Sequence, residues 1–418
     1  MSLEGWKTIT IEECCDILDS KRVPINSEER EQRMGSIPYY GANGIQGYID
    51  DYIFDEDLIL IAEDGGYFNE FATRPIAYRV SGKSWVNNHA HVLKVKTGYS
   101  QEAVFYSLEH KDIQPFIVGG TRAKLNQSEL RSITLNLPVS LQEQTQIATI
   151  LSTIDRAIEQ TEALIAKQQR IKTGLMQDLL TKGIDENGNI RSEETHEFKD
   201  SPLGRIPVEW DCKDIITIAY VTKLAGFEFT NYFNYSIGGE IIALRALNIK
   251  NEKLDLTDIQ TIPKKVSDIL PRSKINRNDI LITYIGAYIG DVLRIEDNEK
   301  FHLAPNIAKI VSKDGVYPQF LEIALRTHYL QRQIKNLTAT TATPSLTMTQ
   351  IRSLLVAIPR NQSEQKVITE HISRITKVID ENASRLAKLK LQKTGLMQDL
   401  LTGKVRVTNL LNQKAAVN

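Results

Sequence analysis

Cysteine is scarce in this chain of 418 residues, which has only Cys14, Cys15 and Cys212. Adjacent cysteines rarely bridge, and no Cys-x-x-Cys or Cys/His group has zinc-site spacing. A disulfide framework and a structural zinc are therefore excluded, and free thiols in a reducing cytoplasm are expected. Long apolar runs are also missing. No stretch approaches the roughly 20 residues of a membrane span, and residues 1–10 lack the apolar core of a signal peptide. No charge of one sign is in excess, because 51 Lys and Arg face 52 Asp and Glu. A polycationic nucleic-acid coat protein is disfavoured, while a reader with local basic patches is not. Catalytic signatures are absent too. There is no Gly-x-Gly-x-x-Gly, no phosphate loop, no His-Glu-x-x-His, and no Asn- or Asp-Pro-Pro-aromatic tetrapeptide of amino-methylating enzymes. No catalytic residue and no metal ligand set is expected.

What the chain does have is self-similarity. Lys172–Thr181 reads KTGLMQDLLT, and Lys393–Thr402 repeats it 221 positions later. The same offset relates Leu125 to Leu346, Pro138 to Pro359, Glu143-Gln144 to Glu364-Gln365, and Ile147, Ile154 and Ile158 to Ile368, Ile375 and Ile379. Further upstream the likeness fades. A spacing this long is a duplicated domain-plus-helix, not a solenoid repeat. The expected order is a domain at 1–137, a helical region at 138–182, a linker at 183–200, a second domain at 201–358, a second helical region at 359–405 and a tail at 406–418. Trp6 and Trp210 mark the domain starts.

Both helical regions carry a 4,3 apolar spacing. Ile147, Leu151, Ile154, Ile158, Thr161 and Ile165 begin one seam, and Ile368, Ile372, Ile375, Ile379, Asn382 and Leu386 begin the other. This predicts two coiled-coil helices of about 40 residues, or about 60 Å each. The simplest partner for each is the other, paired antiparallel with pseudo-two-fold symmetry. Packing alone tolerates exchange among Leu, Ile and Met. Identity at the outward Lys172, Gln177, Asp178 and Thr181, and at Lys393, Gln398, Asp399 and Thr402, points instead to two copies of one binding surface. Helices that serve only as a spacer or dimerisation device are the alternative. Gly174 and Gly395 weaken the helices at matching points, by about 1 kcal/mol relative to Ala, and suggest a close contact.

The globular parts read as mixed α/β. Strands are predicted at Leu58–Ala62, His91–Val95, Ile241–Leu244, Ile280–Tyr284 and Ile307–Val311, and a helix at Gln101–Glu109. The glycine- and tyrosine-rich run Tyr39–Tyr48 predicts a loop or tight hairpin. Its Tyr40, Asn43 and Gln46 suit base edges and phosphates, since Asn and Gln pair bidentately with adenine. A plain surface turn is the alternative. Asn88 and His89 form a second polar stretch. Thr121, Arg122 and Lys124 form a third, flexible and basic, which suits phosphate. A capping box is expected at Asn126/Glu129 and another at Thr347/Gln350. In the second domain the candidates are Arg245, Asn248, Tyr284, Tyr288, Lys335, Thr341 and Ser345. Most scattered cations are ordinary solvated surface.

The order of domain, helix, domain, helix resembles the DNA-specificity subunit of type I restriction–modification systems, over essentially the whole chain. The residues that carry the resemblance are Ser201-Pro202-Leu203-Gly204-Arg205-Ile206-Pro207-Val208-Glu209-Trp210, the two Glu-Gln pairs after Leu137-Pro138 and Ile358-Pro359, the twin GLMQDLLT and Tyr39–Tyr48. The resemblance implies an α+β fold with two target-recognition domains separated by the paired helices. It implies double-stranded DNA, two methyltransferase subunits and restriction subunits as partners, in host defence inside a prokaryotic cytoplasm, away from membranes. It implies no active site and no bound cofactor on this chain, with S-adenosylmethionine, ATP and Mg on the partner subunits. A coiled-coil scaffold that never reads DNA is the alternative function.

Overall fold

The computed structural model describes residues 3–119, 123–250, 253–297, 300–339 and 344–410. The chain divides into two compact units, residues 1–164 with 382–418, and residues 165–381. Each unit thus takes one globular domain, the start of one long helix and the end of the other. This cuts the chain differently from a partition into domains and helices.

In the first unit, β1 (Trp6–Thr10) leads to β2 (Cys15–Ile17), α1 (Ser27–Gln32), β3 (Ile37–Gly41), β4 (Gly44–Ile49), β5 (Phe54–Asp55), β6 (Leu58–Ala62), β7 (Ala77–Val80), β8 (Lys83–Val86) and β9 (Ala90–Val95). Then come α2 (Gln101–Glu109), β10 (Thr134–Pro138) and the long α3 (Leu141–Thr181). Two four-stranded sheets form, in the orders β2-β9-β6-β7 and β4-β3-β8-β5. Strand β6, LILIA, is buried along its whole length, as its unbroken apolar run requires of a central strand. Tyr39–Tyr48 is the β3–β4 hairpin, with an irregular register at Tyr39/Tyr40. The Gln46 side chain folds over Gly41 in this hairpin, in the space a Cβ at that position would take.

The second unit repeats this plan with different residues. Its elements are β11 (Trp210–Asp214), β12 (Ala219–Lys223), α4 (Gly226–Tyr232), β13 (Ile241–Leu244), β14 (Gln260–Ile262), β15 (Lys274–Ile275), β16 (Ile280–Thr283), β17 (Val292–Arg294), β18 (Phe301–Leu303), β19 (Ile307–Ser312), α5 (Pro318–Leu325), β20 (Leu355–Pro359) and the long α6 (Gln362–Leu400). The sheet orders are β12-β19-β16-β17 and β14-β13-β18-β15. Even the single parallel pair recurs, as β3 with β8 and β13 with β18.

In each unit the strand that begins with tryptophan pairs with the strand that precedes the long helix, Trp6 opposite Pro138 and Trp210 opposite Pro359. The chain is therefore returned to its starting edge just before the long helix begins. The Glu-Gln pairs make that junction. Gln144 Nε2 donates to Pro138 O at 2.8 Å, and its Oε1 accepts from Ser100 N at 2.8 Å. Gln365 does the same with Pro359 O at 2.9 Å and Tyr317 N at 2.7 Å. One side chain thus ties helix start, strand end and the N-terminus of α2 or α5.

Each glutamate holds an arginine that follows the end of the opposite long helix. Glu143 accepts from Arg406 Nε and Nη2 at 2.7 and 2.8 Å in the first unit. Glu364 accepts from Arg191 Nη1 and Nη2 at 2.5 and 3.1 Å in the second, and also from Trp210 Nε1 and Ile184 N. The helices run antiparallel. In the first unit Glu143, Asp155 and Glu162 meet Arg406, Lys393 and Lys390, so partner numbers fall as α3 rises. In the second, Leu179 and Leu180 share a core with Ile368 and Ile372. The expected seam residues are buried or half-buried throughout, Thr161 included.

One local expectation needs correction. Asn126 takes the N-cap position but its side chain makes no cap bond. That short helix, Gln127–Ser132, is held instead by Gln127 to Asp19 and Arg131 to Glu12. The Thr347/Gln350 box does form. At Gly174 and Gly395 an added Cβ would meet nothing within 4 Å among the described residues, so both positions are open on the helix surface.

Candidate nucleic-acid interface

In the first unit the candidates from three separate stretches converge. Asn87 N donates to Tyr40 O at 3.0 Å and Asn87 Nδ2 to Gln46 Oε1 at 3.2 Å, joining the hairpin to the β8–β9 turn. Asn43 Nδ2 donates to Gly65 O at 2.9 Å. Glu63 N donates to His89 O at 2.9 Å, and Leu125 N to Glu63 O at 2.7 Å, which docks the Lys124 segment. The edge so formed carries exposed Asn43, Gln46 and Asn88 with half-buried Tyr40, His89 and Lys124. Burial, with a contribution from Tyr48, pushes the Tyr40 phenol above its ordinary range and keeps it a hydroxyl donor. His89 Nδ1 lies 2.5 Å from Asp64 Oδ1, which orients the ring.

Charge beneath this edge is closely balanced. Glu63 meets Arg22 at 2.7 Å and Lys124 at 3.0 Å. Burial pushes its carboxyl up, but the two cations hold it below the ordinary value. Lys124 therefore neutralises Glu63, while its side chain stays 45% exposed. Asp19, Glu63 and His91 lie close enough to group as metal ligands. Their atoms are already engaged, with Arg22 on both carboxylates, Asp19 on His91 Nδ1 and Leu125 O on His91 Nε2. Thr121 and Arg122 lie outside the described residues.

The second unit builds the same frame. Tyr284 N donates to Asn306 O at 3.0 Å, and Leu346 N to Tyr284 O at 2.9 Å. These bonds reproduce Glu63 to His89 and Leu125 to Glu63. Gly65 and Gly286 both turn with positive φ. The isolated bridges Asp64 with Lys124 and Ile285 with Ser345 match as well. Four equivalent positions therefore carry Glu63, Asp64, His89 and Lys124 in one unit, and Tyr284, Ile285, Asn306 and Ser345 in the other.

Not every candidate in this unit faces outward. Asn248 is fully buried and spends its side chain on Arg245 N, Asp255 O and Asp258 O. Arg245 is paired with Asp258 at 2.9 Å. Both hold the loop after β13 together and are not placed to read bases. Tyr284 is 6% exposed with the Lys223 ammonium over its ring, and burial raises its phenol. Tyr288 is exposed, Ser345 is half-buried beside Ile285, and Lys335 is exposed on the helix His328–Thr338. Thr341 lies outside the described residues.

Sequence reading missed two features here. Asn306 is exposed in a left-handed conformation, and only its place after Ala304-Pro305 hinted at a turn. Phe227, Tyr232 and Tyr235 are exposed in and after α4, and the aromatic run FEFTNYFNY was visible as a signal.

On the helices, Gln177 and Gln398 are exposed. Asp178 pairs with Lys182 at 2.8 Å, and Asp399 with Lys404 at 3.0 Å. Thr181 and Thr402 each bond back into their own helix, to Gln177 O and Gln398 O, and remain partly accessible. Lys393 departs from the outward expectation. Its side chain is 15% exposed, with Nζ 2.9 Å from both Glu109 and Asp155. Burial opposes its charge, but the two carboxylates win and raise its pKa.

The family model of the type I restriction modification DNA specificity domain matches residues 3–168 and 269–391. The MjaVIII specificity subunit of Methanocaldococcus jannaschii is 24% identical over 427 residues, covering 97% of this chain and 94% of that one. A type I specificity subunit of Haemophilus influenzae is 37% identical over 156 residues, covering 36% of this chain and 38% of that one. Among solved structures, the S subunit from M. genitalium aligns with a TM-score of 0.64 at 15% identity, covering 94% of this chain and 96% of that one.

Proposed function

The chain belongs to the DNA-specificity family of type I restriction–modification systems, and from that premise we propose that it reads an asymmetric two-part DNA site, one globular domain per part, and seats two methyltransferase subunits on its helices. The observation that carries this reading is the duplicated frame with exchanged side chains. The backbone bonds around Glu63 and Tyr284 match. The side chains on that frame do not, and direct readout depends on which donors and acceptors meet the base edges. At the accessible position of that frame an imidazole, His89, stands in one unit and an amide, Asn306, in the other, and they offer different donors and acceptors to a base edge. Two different half-sites follow.

The repeated KTGLMQDLLT supports two copies of one partner. In this reading the chain contributes recognition and positioning and no chemistry. S-adenosylmethionine, ATP and Mg belong to methyltransferase and restriction subunits. The target base must leave the helix to be methylated, and that step falls to the methyltransferase.

Footprinting of the assembled complex tests the reading. Two protected patches separated by an unprotected gap are expected. Protection that needs the methyltransferase alone, with this chain contributing nothing, would favour the scaffold alternative. Methylation or cleavage by the purified chain without partners would contradict the division of labour.

A further inference from the structure

The two copies of KTGLMQDLLT are identical, yet their first residues have different surroundings. In the first unit Lys393 is neutralised internally by Glu109 at the end of α2 and Asp155 on α3. Tyr106 donates to the same Asp155 at 2.6 Å, and Arg79 lies 3.5 Å from it.

The corresponding places in the second unit can be identified from hydrogen bonds. Ser100 N and Tyr317 N make the same bond to Gln144 and Gln365, so Glu109 corresponds to Arg326. The gapless helix repeat makes Asp155 correspond to Thr376. Both carboxylates are gone. Arg326 lies 2.7 Å from Glu322, and the Thr376 hydroxyl donates to Ile372 O. Lys172 is half-buried and has no ion-pair partner among the described residues.

Continued from Ile165 through Gln168, the 4,3 spacing puts Lys172 on the heptad seam and not on the outward face where it was expected, and an apolar side chain would cost less there. A half-buried ammonium loses hydration and, without a counter-charge, gains nothing in return. An acid supplied from outside the chain would give Lys172 the counter-charge that Lys393 finds inside it. We propose that Lys172 is the docking point for a carboxylate of the partner protein seated on this part of the helix pair, and that Lys393 is not one. The two identical motifs are then unequal docking surfaces. This rests on the reading above that a methyltransferase subunit binds each copy.

The test uses the full chain and the methyltransferase subunit of its own system, with stoichiometry and affinity read by native mass spectrometry and titration. Lys172→Gln should weaken one of the two binding events at least about tenfold, more so at low salt, with the melting temperature unchanged. Lys172→Arg should restore binding. Lys393→Gln should lower the melting temperature, because it leaves Glu109 and Asp155 facing each other. Two wild-type binding events with Lys172→Gln, or equal weakening by both glutamine variants at equal stability, would overturn the inference alone. Failure of the wild-type chain to bind the methyltransferase at all would overturn the proposed function and this inference with it.

Discussion

Removing one carboxylate, Glu364→Ala, should unfold the second unit well before the first. Glu364 accepts four hydrogen bonds, two from Arg191, one from Trp210 and one from Ile184 N. Its side chain and that of Arg191 are each 8% exposed. The variant strands a buried guanidinium and a buried indole N–H. Breaking a buried pair this way costs about 3–5 kcal/mol. For a unit of this size that is a fall of about 6–20 °C in melting temperature. Glu143→Ala supplies the contrast. Arg406 is 32% exposed, and Trp6 Nε1 makes no bond to Glu143. Water screens that pair, so about 1.5 kcal/mol is expected, the low end for a charged hydrogen bond. Trp210 is the only tryptophan in residues 165–381, while Trp6 and Trp85 lie in the first unit. Urea titration followed by tryptophan emission, with Trp85→Phe and Trp6→Phe backgrounds, therefore reads the second unit separately. Equal losses in Glu143→Ala and Glu364→Ala would refute the argument that burial sets the strength of each latch.

The remaining predictions concern charge. Lys124→Ala should weaken DNA binding by exposing the Glu63 carboxylate, with little change in the salt slope, since its ammonium is already paired. Arg122→Ala should lower the slope by about one unit, and a larger slope change for Lys124→Ala would reverse the assignment. Stability of the second unit should fall as pH drops below about 6.5, the ordinary histidine value. Burial holds the folded His302 imidazole below that value, so the unfolded chain binds its proton first. His302→Phe should flatten this window in urea midpoints taken from pH 7.5 to 5.5, and an unchanged slope would assign the effect elsewhere.

Features set by neighbours in the chain were legible in the sequence. The apolar run of β6, the hairpin at Tyr39–Tyr48 and the two helix seams are patterns within one segment, and each appears as expected. Features set by distant contacts were not. Nothing near Arg191 or Arg406 says that each meets a glutamate far away in the chain. Asn248 and Lys393 looked like outward polar residues, because sequence does not show which polar groups are consumed by a partner. Asn306 was invisible as a counterpart of His89 until the matching backbone bonds placed both. The repeat itself was the strongest signal, and it pointed to shared helices and divergent domains without showing that the domain frames also match.

The most direct test of the central claim is modification-sensitive sequencing of DNA from cells carrying this chain with its methyltransferase. One asymmetric motif of two specified parts around an unspecified gap is expected. Exchanging residues 201–358 for those of a relative should change one part and leave the other intact. A continuous or symmetric motif, or an exchange that alters both parts together, would contradict the assignment of one half-site to each domain.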